Sequence, residues 1–391
     1  MNDTVIATHA VPARNWIAIA ALGLSAFTIV TSELAPVGML NALANDLHQP
    51  AATTGLIVTA YGWVAALAAL CSGMLPARTP RKALLVGLMV ILAGSCLMAM
   101  RAYALPALMT ARITGALAHG VFWALIGTVA ARLVPASRLG LATSVIFGGV
   151  SAASVLGVPL ASFMAAAAGW RSAFGAIALF ALAAAVVLWR TLPALTPPAP
   201  LKLNDYLAIF RHRTLLTLFG ATAAVITAHF AAFTYIDPLL TLKQGIAPAA
   251  VSALLLMAGI AGVAGNMIAG KLIDRHLRGL ILSALLLSAL ALGALSIAAL
   301  PHGLTALLLA LWSAGIAVIF VGLQTWLLRS AGTAAQPASA LYIAIFNAAI
   351  GSGALAGGHL AGLIGLQKMV LMAAAVMLVS SLFILRLRTP R

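Results

Sequence analysis

Twelve apolar stretches, each long enough to cross a bilayer, occupy nearly all of this 391-residue chain. They lie at 15–40, 52–75, 82–100, 104–133, 139–167, 170–191, 214–241, 248–271, 278–300, 303–330, 335–363 and 366–386. A helix crosses the hydrocarbon core in about 20 apolar residues, and the segments left between these stretches are too short for a soluble domain. Only 7% of residues are charged, against about a quarter in a water-soluble globule. Mean hydropathy is +1.12. Lipid offers no water to satisfy a peptide N–H or C=O, so each stretch must be helical. The alternating pattern of a membrane β-barrel is absent. The expected fold is an all-α integral membrane protein. Its first stretch exceeds the apolar core of a signal peptide and is expected to stay in the mature chain.

The formal net charge of +16 raises nucleic acid as a partner, but the placement of the cations argues against it. With the N-terminus inside, the inner segments hold Arg14, Arg78, Arg81, Lys82, Arg132, Arg138, Arg190, Lys202, Arg211, Arg213, Lys271, Arg275, Arg278, Arg329, Arg386, Arg388 and Arg391. The outer loops hold Arg101, Arg171, Lys243 and Lys368. Such an asymmetry orients a multi-pass protein and predicts both termini in the cytoplasm. Cys71 and Cys96 both fall inside stretches without metal-ligand spacing, so they read as small buried apolar residues. No metal and no cofactor is implied.

The longest polar interruption divides the chain. It opens with Pro193, Pro197, Pro198 and Pro200, and its later part sets Leu203, Leu207 and Phe210 on one face beside Lys202, Arg211 and Arg213. That pattern suits a short helix lying in the membrane interface. The predicted division is a six-helix bundle at 1–191, a cytoplasmic linker at 192–213 and a second bundle at 214–391. A weak repeat supports it. Gly73-Met-Leu75 after the second stretch matches Gly270-Lys-Leu272 after the eighth, each with cations behind. Glu33 and Pro36 match Asp237 and Pro238; Gly148 and Gly157 match Gly351 and Gly357. Two pseudo-symmetric six-helix bundles form the parallel-repeat plan of many secondary transporters.

The chain has six acids, and an ionisable group at membrane depth is a functional candidate by default. Glu33 lies roughly 10 Å and Arg112 roughly 12 Å from their outer helix ends at 1.5 Å per residue. Equal depth predicts a Glu33–Arg112 ion pair, serving either proton coupling or packing specificity. His119 follows Arg112 by two helical turns on the same face, with Trp123 one turn further. Midway along the seventh stretch, His229 precedes Phe233, Tyr235 and Asp237. One histidine per half beside aromatics is expected to line a cavity; Asp237 lies near the outer interface, where a solvated carboxylate needs no function. Tyr61, Trp63, Gln324 and Asn347 complete the polar and aromatic set. Aromatic faces with amides suit a polyol, while Gln324 and Asn347 serve equally as interhelical hydrogen-bonding groups. At the inner end of the eighth stretch, Gly270, Asp274, Arg275 and Arg278 are expected to gate the cytoplasmic side, with Asp274 near a helix N-terminus. The glycine-rich runs Gly262 to Gly270 and Gly351 to Gly358 allow close helix contact. No phosphate-binding glycine loop ending in Lys-Ser/Thr occurs, so the energy source must be an ion gradient.

Several of these segments resemble the major facilitator superfamily. Gly270-Lys-Leu-Ile-Asp274-Arg275 is similar to its cytoplasmic-loop motif and Ala111-Arg112-Ile-Thr-Gly115 to its fourth-helix motif. Gly148 with Gly157-Val-Pro159, and Gly169-Trp170-Arg171, resemble segments of its drug/proton antiporter-like branch. In the first-half loop, Ala77 stands where an acid is usual and Pro80 where a glycine is usual. From about residue 15 to about 385 the chain resembles the bacterial sugar efflux transporters of the arabinose- and thiogalactoside-exporting type. Thr31-Ser-Glu33-Leu-Ala-Pro36-Val-Gly38, Tyr61-Gly-Trp63-Val, Ala118-His119-Gly-Val-Phe122-Trp123, Val225-Ile-Thr-Ala-His229, Tyr235-Ile-Asp237-Pro238, Phe346-Asn347 and Gly351-Ser-Gly353-Ala-Leu carry that likeness.

The resemblance implies a monomeric, proton-coupled antiporter in the inner membrane of a bacterium, exporting sugars. It assigns substrate binding to Tyr61, His119, Trp123, His229, Tyr235, Gln324 and Asn347, coupling to Glu33, Arg112 and Asp237, and gating to Gly270, Asp274, Arg275 and Arg278. The competing reading on the same scaffold is an exporter of drugs, nucleosides or amino acids, which fold analogy does not separate. An intramembrane hydrolase built on Ser352 and His359 is the remote alternative. It is disfavoured because two helical turns separate them by roughly 10 Å, whereas a nucleophile and its base must touch. A channel is disfavoured by the paired halves, which suit alternating access.

Overall fold

The computed structural model describes residues 12–72, 80–195, 201–297 and 300–387. Every regular element among them is helical: α1 (Ala13–Gly38), α2 (Leu40–Asp46), α3 (Ala51–Ser72), α4 (Arg81–Met100), α5 (Leu105–Leu133), α6 (Ala136–Ala152), α7 (Val158–Ala168), α8 (Trp170–Thr191), α9 (Leu203–Ile209), α10 (Arg213–Phe233), α11 (Ile236–Pro238), α12 (Pro248–Leu295), α13 (His302–Ala331), α14 (Ala335–Ile364) and α15 (Leu366–Arg386). Twelve of the helical segments are long and apolar enough to span a membrane. A π turn at Ala153–Gly157 joins α6 to α7 in the fifth span, and another at Leu239–Lys243 follows α11.

Two spans depart from the sequence expectation. The seventh, expected to reach residue 241, ends at Phe233. Pro238 lacks an N–H and its ring crowds the carbonyl four residues back, at Thr234, so the helix breaks there. The loop expected between residues 271 and 278 is absent. The eighth and ninth spans run on as α12, bent at His276, whose φ of −132° and ψ of 32° leave the helical region. Glycine ends the fifth and eleventh spans in the left-handed region: Gly169 has φ +82° and Gly365 φ +86°. A side chain there would be strained.

Polar clamps at helix ends mark the side that carries both chain termini. Arg14 Nε donates to Thr191 O at 3.0 Å, Asn15 Nδ2 to Leu133 O at 2.8 Å and Arg278 to Leu385 O at 2.6 Å. On the same side α9 turns Tyr206 and Ile209 inward, and the Tyr206 hydroxyl donates to Leu70 O. Leu203, Leu207 and Phe210 stay exposed.

The halves meet mainly through α3 against α14 and through α7 with its π turn against α12. Gly62 and Gly351 permit the first crossing: a Cβ on Gly62 would meet Asn347 O and Gly351 N, both at 2.6 Å. Among the described residues, hydrogen bonds tie the halves away from the termini side at Asn41–Asp237, Asn41–Thr241, Trp63–Ser352 and Ser162–Ser252. Apolar packing divides the same way. One core cluster joins the second half to far-side residues of the first, among them Ala35, Ile57, Leu108 and Phe174. Another, with Ile19, Leu22, Leu88, Phe122 and Leu188, belongs to the termini side of the first half alone. Among the described residues, the hydrogen bonds and the apolar packing that close the interface therefore lie mainly on the far side.

If Gly62 serves close approach, Gly62→Val overpacks the crossing at a cost of roughly 1–3 kcal/mol. Gly87, whose Cβ position meets nothing within 4 Å, should accept Ala with no loss, since glycine costs a helix about 0.5–1 kcal/mol. Thermal unfolding in detergent followed by tryptophan fluorescence should place these variants on opposite sides of the wild type. Equal melting of Gly62→Val and wild type would refute the role given to this crossing.

Candidate functional site

The first-half site begins with a proline. Pro36 sits inside α1, where its missing N–H leaves the Ser32 carbonyl without its helical donor. In lipid such a carbonyl has no water to turn to. Arg112 from α5 supplies the donors: Nη1 reaches Ser32 O at 2.6 Å and Nη2 reaches Glu33 O at 3.1 Å. Its guanidinium also lies 4.1 Å from the centroid of the Tyr61 ring, a cation–π contact strengthened by desolvation. Arg112 is only 1% exposed.

The expected Glu33–Arg112 carboxylate pair is therefore corrected. Among the described residues Arg112 bonds the Glu33 main chain, and the Glu33 carboxyl goes elsewhere. Glu33 Oε2 lies 4.0 Å from His119 Nδ1, and Glu33 Oε1 has no partner. The proline accounts for the difference, because a freed carbonyl stands closer to Arg112 than the side chain does.

Around this pair the sequence candidates converge. The His119 ring meets Tyr61 at 5.3 Å and Trp123 at 6.3 Å between centroids, and Trp123 meets Phe147 at 6.0 Å. Asn347 from α14 brings its amide against His119 and donates Nδ2 to Ile343 O at 2.9 Å. Glu33 Oε1, Tyr61 OH, Arg112 Nε, His119 Nδ1 and Asn347 Oδ1 are all buried without a hydrogen-bond partner. Native structures leave few such atoms unpaired. Their concentration in one place leaves several donors and acceptors there without protein partners.

His229 holds the matching place in the second half within a box of aromatic rings. Phe233 stacks on it at 5.1 Å, while Phe230, Trp312 and Phe320 stand at 5.0, 5.2 and 5.7 Å. Phe320 continues to Phe346 at 5.1 Å, so the neighbours Phe346 and Asn347 join the two clusters. His229 Nδ1 and Trp312 Nε1 are buried and unpartnered. Trp312, Phe320 and Phe346 were missed as site residues, being aromatic residues among many in apolar spans. Ser32 was missed too, though it stands four residues before Pro36.

The other candidates lie apart from this cluster. Tyr235 is 2% exposed, packs its ring on Gly55 and Gly358, and donates its hydroxyl to Ala354 O at 3.0 Å. Asp237 accepts the Asn41 N–H across the interface at 2.8 Å. Gln324 is exposed on α13. Gly270 and Arg275 are exposed on α12, and Arg278 caps the end of α15 through Leu385. The Asp274 side chain and the segment from Gly73 to Arg78 lie outside the described residues. Ser352 accepts the Trp63 indole at 3.1 Å. No described hydrogen bond joins Ser352 to His359.

If Arg112 answers the carbonyl freed by Pro36, Arg112→Gln should destabilise the protein by about 2–3 kcal/mol, the scale for a lost charged hydrogen bond in a buried place. Pro36→Ala restores a helical N–H at that carbonyl and should recover part of the loss in the double variant. Thermal unfolding of the four proteins forms the cycle. Strictly additive losses would sink this account.

A family model described as the Major Facilitator Superfamily matches residues 21–339. Among solved structures, a bacterial homologue of the human lysosomal transporter Spinster, in an inward-facing and occupied conformation, superposes with a TM-score of 0.78 at 14% identity, covering 94% of this chain and 95% of that one. The human organic anion transporter MFSD10 gives 0.70 at 17% identity, covering 95% and 99%. The nucleoside transporter NupG, in a mutant form, gives 0.73 at 15% identity, covering 95% and 99%. At such identities these likenesses establish the fold. With twelve apolar helices and a family match over most of its length, the chain belongs to the major facilitator superfamily and is a membrane transporter, not an enzyme.

Proposed function

We propose that this transporter is a proton-coupled exporter of sugars or sugar-like compounds, working as a monomer in the inner membrane of a bacterium with both termini in the cytoplasm. The observation that carries this reading is the set of five unpartnered polar atoms on Glu33, Tyr61, Arg112, His119 and Asn347 beside the rings of Tyr61 and Trp123. Hydroxyl groups satisfy such donors and acceptors, and the C–H face of a sugar packs on aromatic rings. The concentration of cations on the termini side supports the orientation. The units 1–191 and 214–391 are the two bodies that rock about this site, joined by 192–213, while Asp274, Arg275 and Arg278 serve the cytoplasmic gate.

Glu33 and His119 carry the coupling in this reading. An ionised Glu33, 4.0 Å from His119 Nδ1, accepts a hydrogen bond from Nδ1–H when the two close, which leaves the opposite ring nitrogen an acceptor. A protonated Glu33 donates to Nδ1 instead, so the opposite nitrogen must carry the hydrogen. Proton arrival thereby exchanges acceptor for donor on the face that His119 offers a ligand. Arg112, occupied by the α1 main chain, holds the frame in which this exchange occurs.

In proteoliposomes with an imposed pH difference, Glu33→Gln should keep sugar exchange and lose accumulation against a gradient. Trp123→Ala and Asn347→Ala should each weaken sugar binding about tenfold, the effect of about 1.4 kcal/mol. Retained accumulation in Glu33→Gln would move the coupling to another group. Saturable, pH-driven transport of nucleosides, amino acids or drugs but of no sugar would overturn the substrate assignment.

A further inference from the structure

On the far side the first half ends in an abrupt turn. α1 stops at Gly38, Met39 leaves helical geometry, and α2 starts at Leu40. The first N–H groups of any helix lack internal partners, and Asn41 is among them here. Its partner comes from the other half: Asp237 Oδ2 accepts the Asn41 N–H at 2.8 Å. The Asn41 side chain is held as well, Nδ2 donating to Thr241 Oγ1 at 2.8 Å, and Thr241 donates in turn to Asp237 O at 2.8 Å. One asparagine of the first half is thus gripped twice by the second.

Asp237 is 6% exposed and lines a half-open cleft of about 490 Å³, together with Gly38, Asn41, Asn45, Gln49 and Thr241. A polar-lined cleft of this size is ample for water. Among the described residues no other charged side chain lines it. Asp46 of α2 is turned to Arg171, at 2.8 Å. The hydrogen bonds Ser162–Ser252 at 3.0 Å and Trp63–Ser352 at 3.1 Å, which also cross between the halves, join neutral groups. A bond with an ionised acceptor is roughly twice as strong as a neutral one.

We infer that Asp237, with Thr241, is the latch that holds the far side of the transporter shut by gripping Asn41 across the interface. This rests on the alternating-access reading above and gives Asp237 a part distinct from proton carriage. A latch must hold in one state and be cheap to release in the other. The carboxylate bond supplies the hold. Water from the adjoining cleft hydrates both Asp237 and the Asn41 N–H once they part, so neither is left unsatisfied in the open state.

Spin labels at Arg101→Cys in the first half and Lys368→Cys in the second, both exposed far-side positions, report the opening in a Cys71→Ser background. Double electron–electron resonance on reconstituted protein without substrate should show the long-distance population rising about tenfold in Asp237→Ala, the scale of a lost charged hydrogen bond. Thr241→Val, a milder change, should shift it less and in the same direction. Wild-type distance distributions in both variants would overturn the latch. Shifted distances in a protein that carries no sugar leave the latch standing and remove the substrate reading. Sugar transport with unshifted distances does the reverse.

Discussion

Arg112 meeting the carbonyls of Ser32 and Glu33 is the contact on which the site depends. A proline inside a membrane helix orphans a backbone oxygen where no water is at hand. A buried guanidinium needs acceptors with the same urgency. Each resolves the other's deficit, and in doing so α1 is pinned to α5. Tyr61 completes the fixture from α3, its ring 4.1 Å from the guanidinium carbon. Because Arg112 is spent on the main chain, the Glu33 carboxyl is left facing His119 with one oxygen unpartnered. That the Glu33 carboxyl is not engaged by Arg112 is a consequence of Pro36.

The second half solves the same problem differently. Asp237-Pro238 stands where the first half has Glu33 and Pro36, but among the described residues no arginine hydrogen bond satisfies the interrupted helix. α10 stops at Phe233, a short turn follows, and a π turn carries the chain on to Lys243. The acid is thereby carried out to the interface with α2. The histidine left behind is enclosed by rings instead of charged groups. The two halves thus differ, with polar groups gathered around His119 and aromatic rings around His229.

Twelve helices were legible, and most of their boundaries to within a few residues, because apolar length and backbone satisfaction leave a membrane chain almost no alternative; the end of the seventh and the join of the eighth to the ninth were not. The same logic, pressed one step further, exposes what was missed. Pro36 names Ser32 as an oxygen needing a donor, and Arg112 was the one cation placed at that depth. Reading Glu33 and Arg112 as opposite charges overlooked that a main-chain acceptor competes with a side-chain one. His119, Trp123 and Asn347 were legible because polar and aromatic groups are costly to place in lipid. Trp312 and Phe320 were not, since a ring facing a site and a ring facing lipid read alike in sequence. Asn41, a polar residue just beyond the first apolar stretch, carried no signal without its partner 196 positions away.

How the halves can rock without exposing core follows from where the apolar clusters end. The termini-side cluster of the first half is complete without the second: Ile19, Leu22, Leu85, Phe122 and Leu188 bury one another. Parting the halves on that side therefore uncovers little apolar surface. Across the far side the core is continuous, but the crossings there are lined by Gly62, Gly351 and Gly259, where backbone meets backbone. Such contacts give dispersion energy through close approach, not through interlocked side chains. A glycine-lined seam can open as a unit. The resistance to opening then falls on a few directional bonds, which is where a transporter can set the balance between its two states.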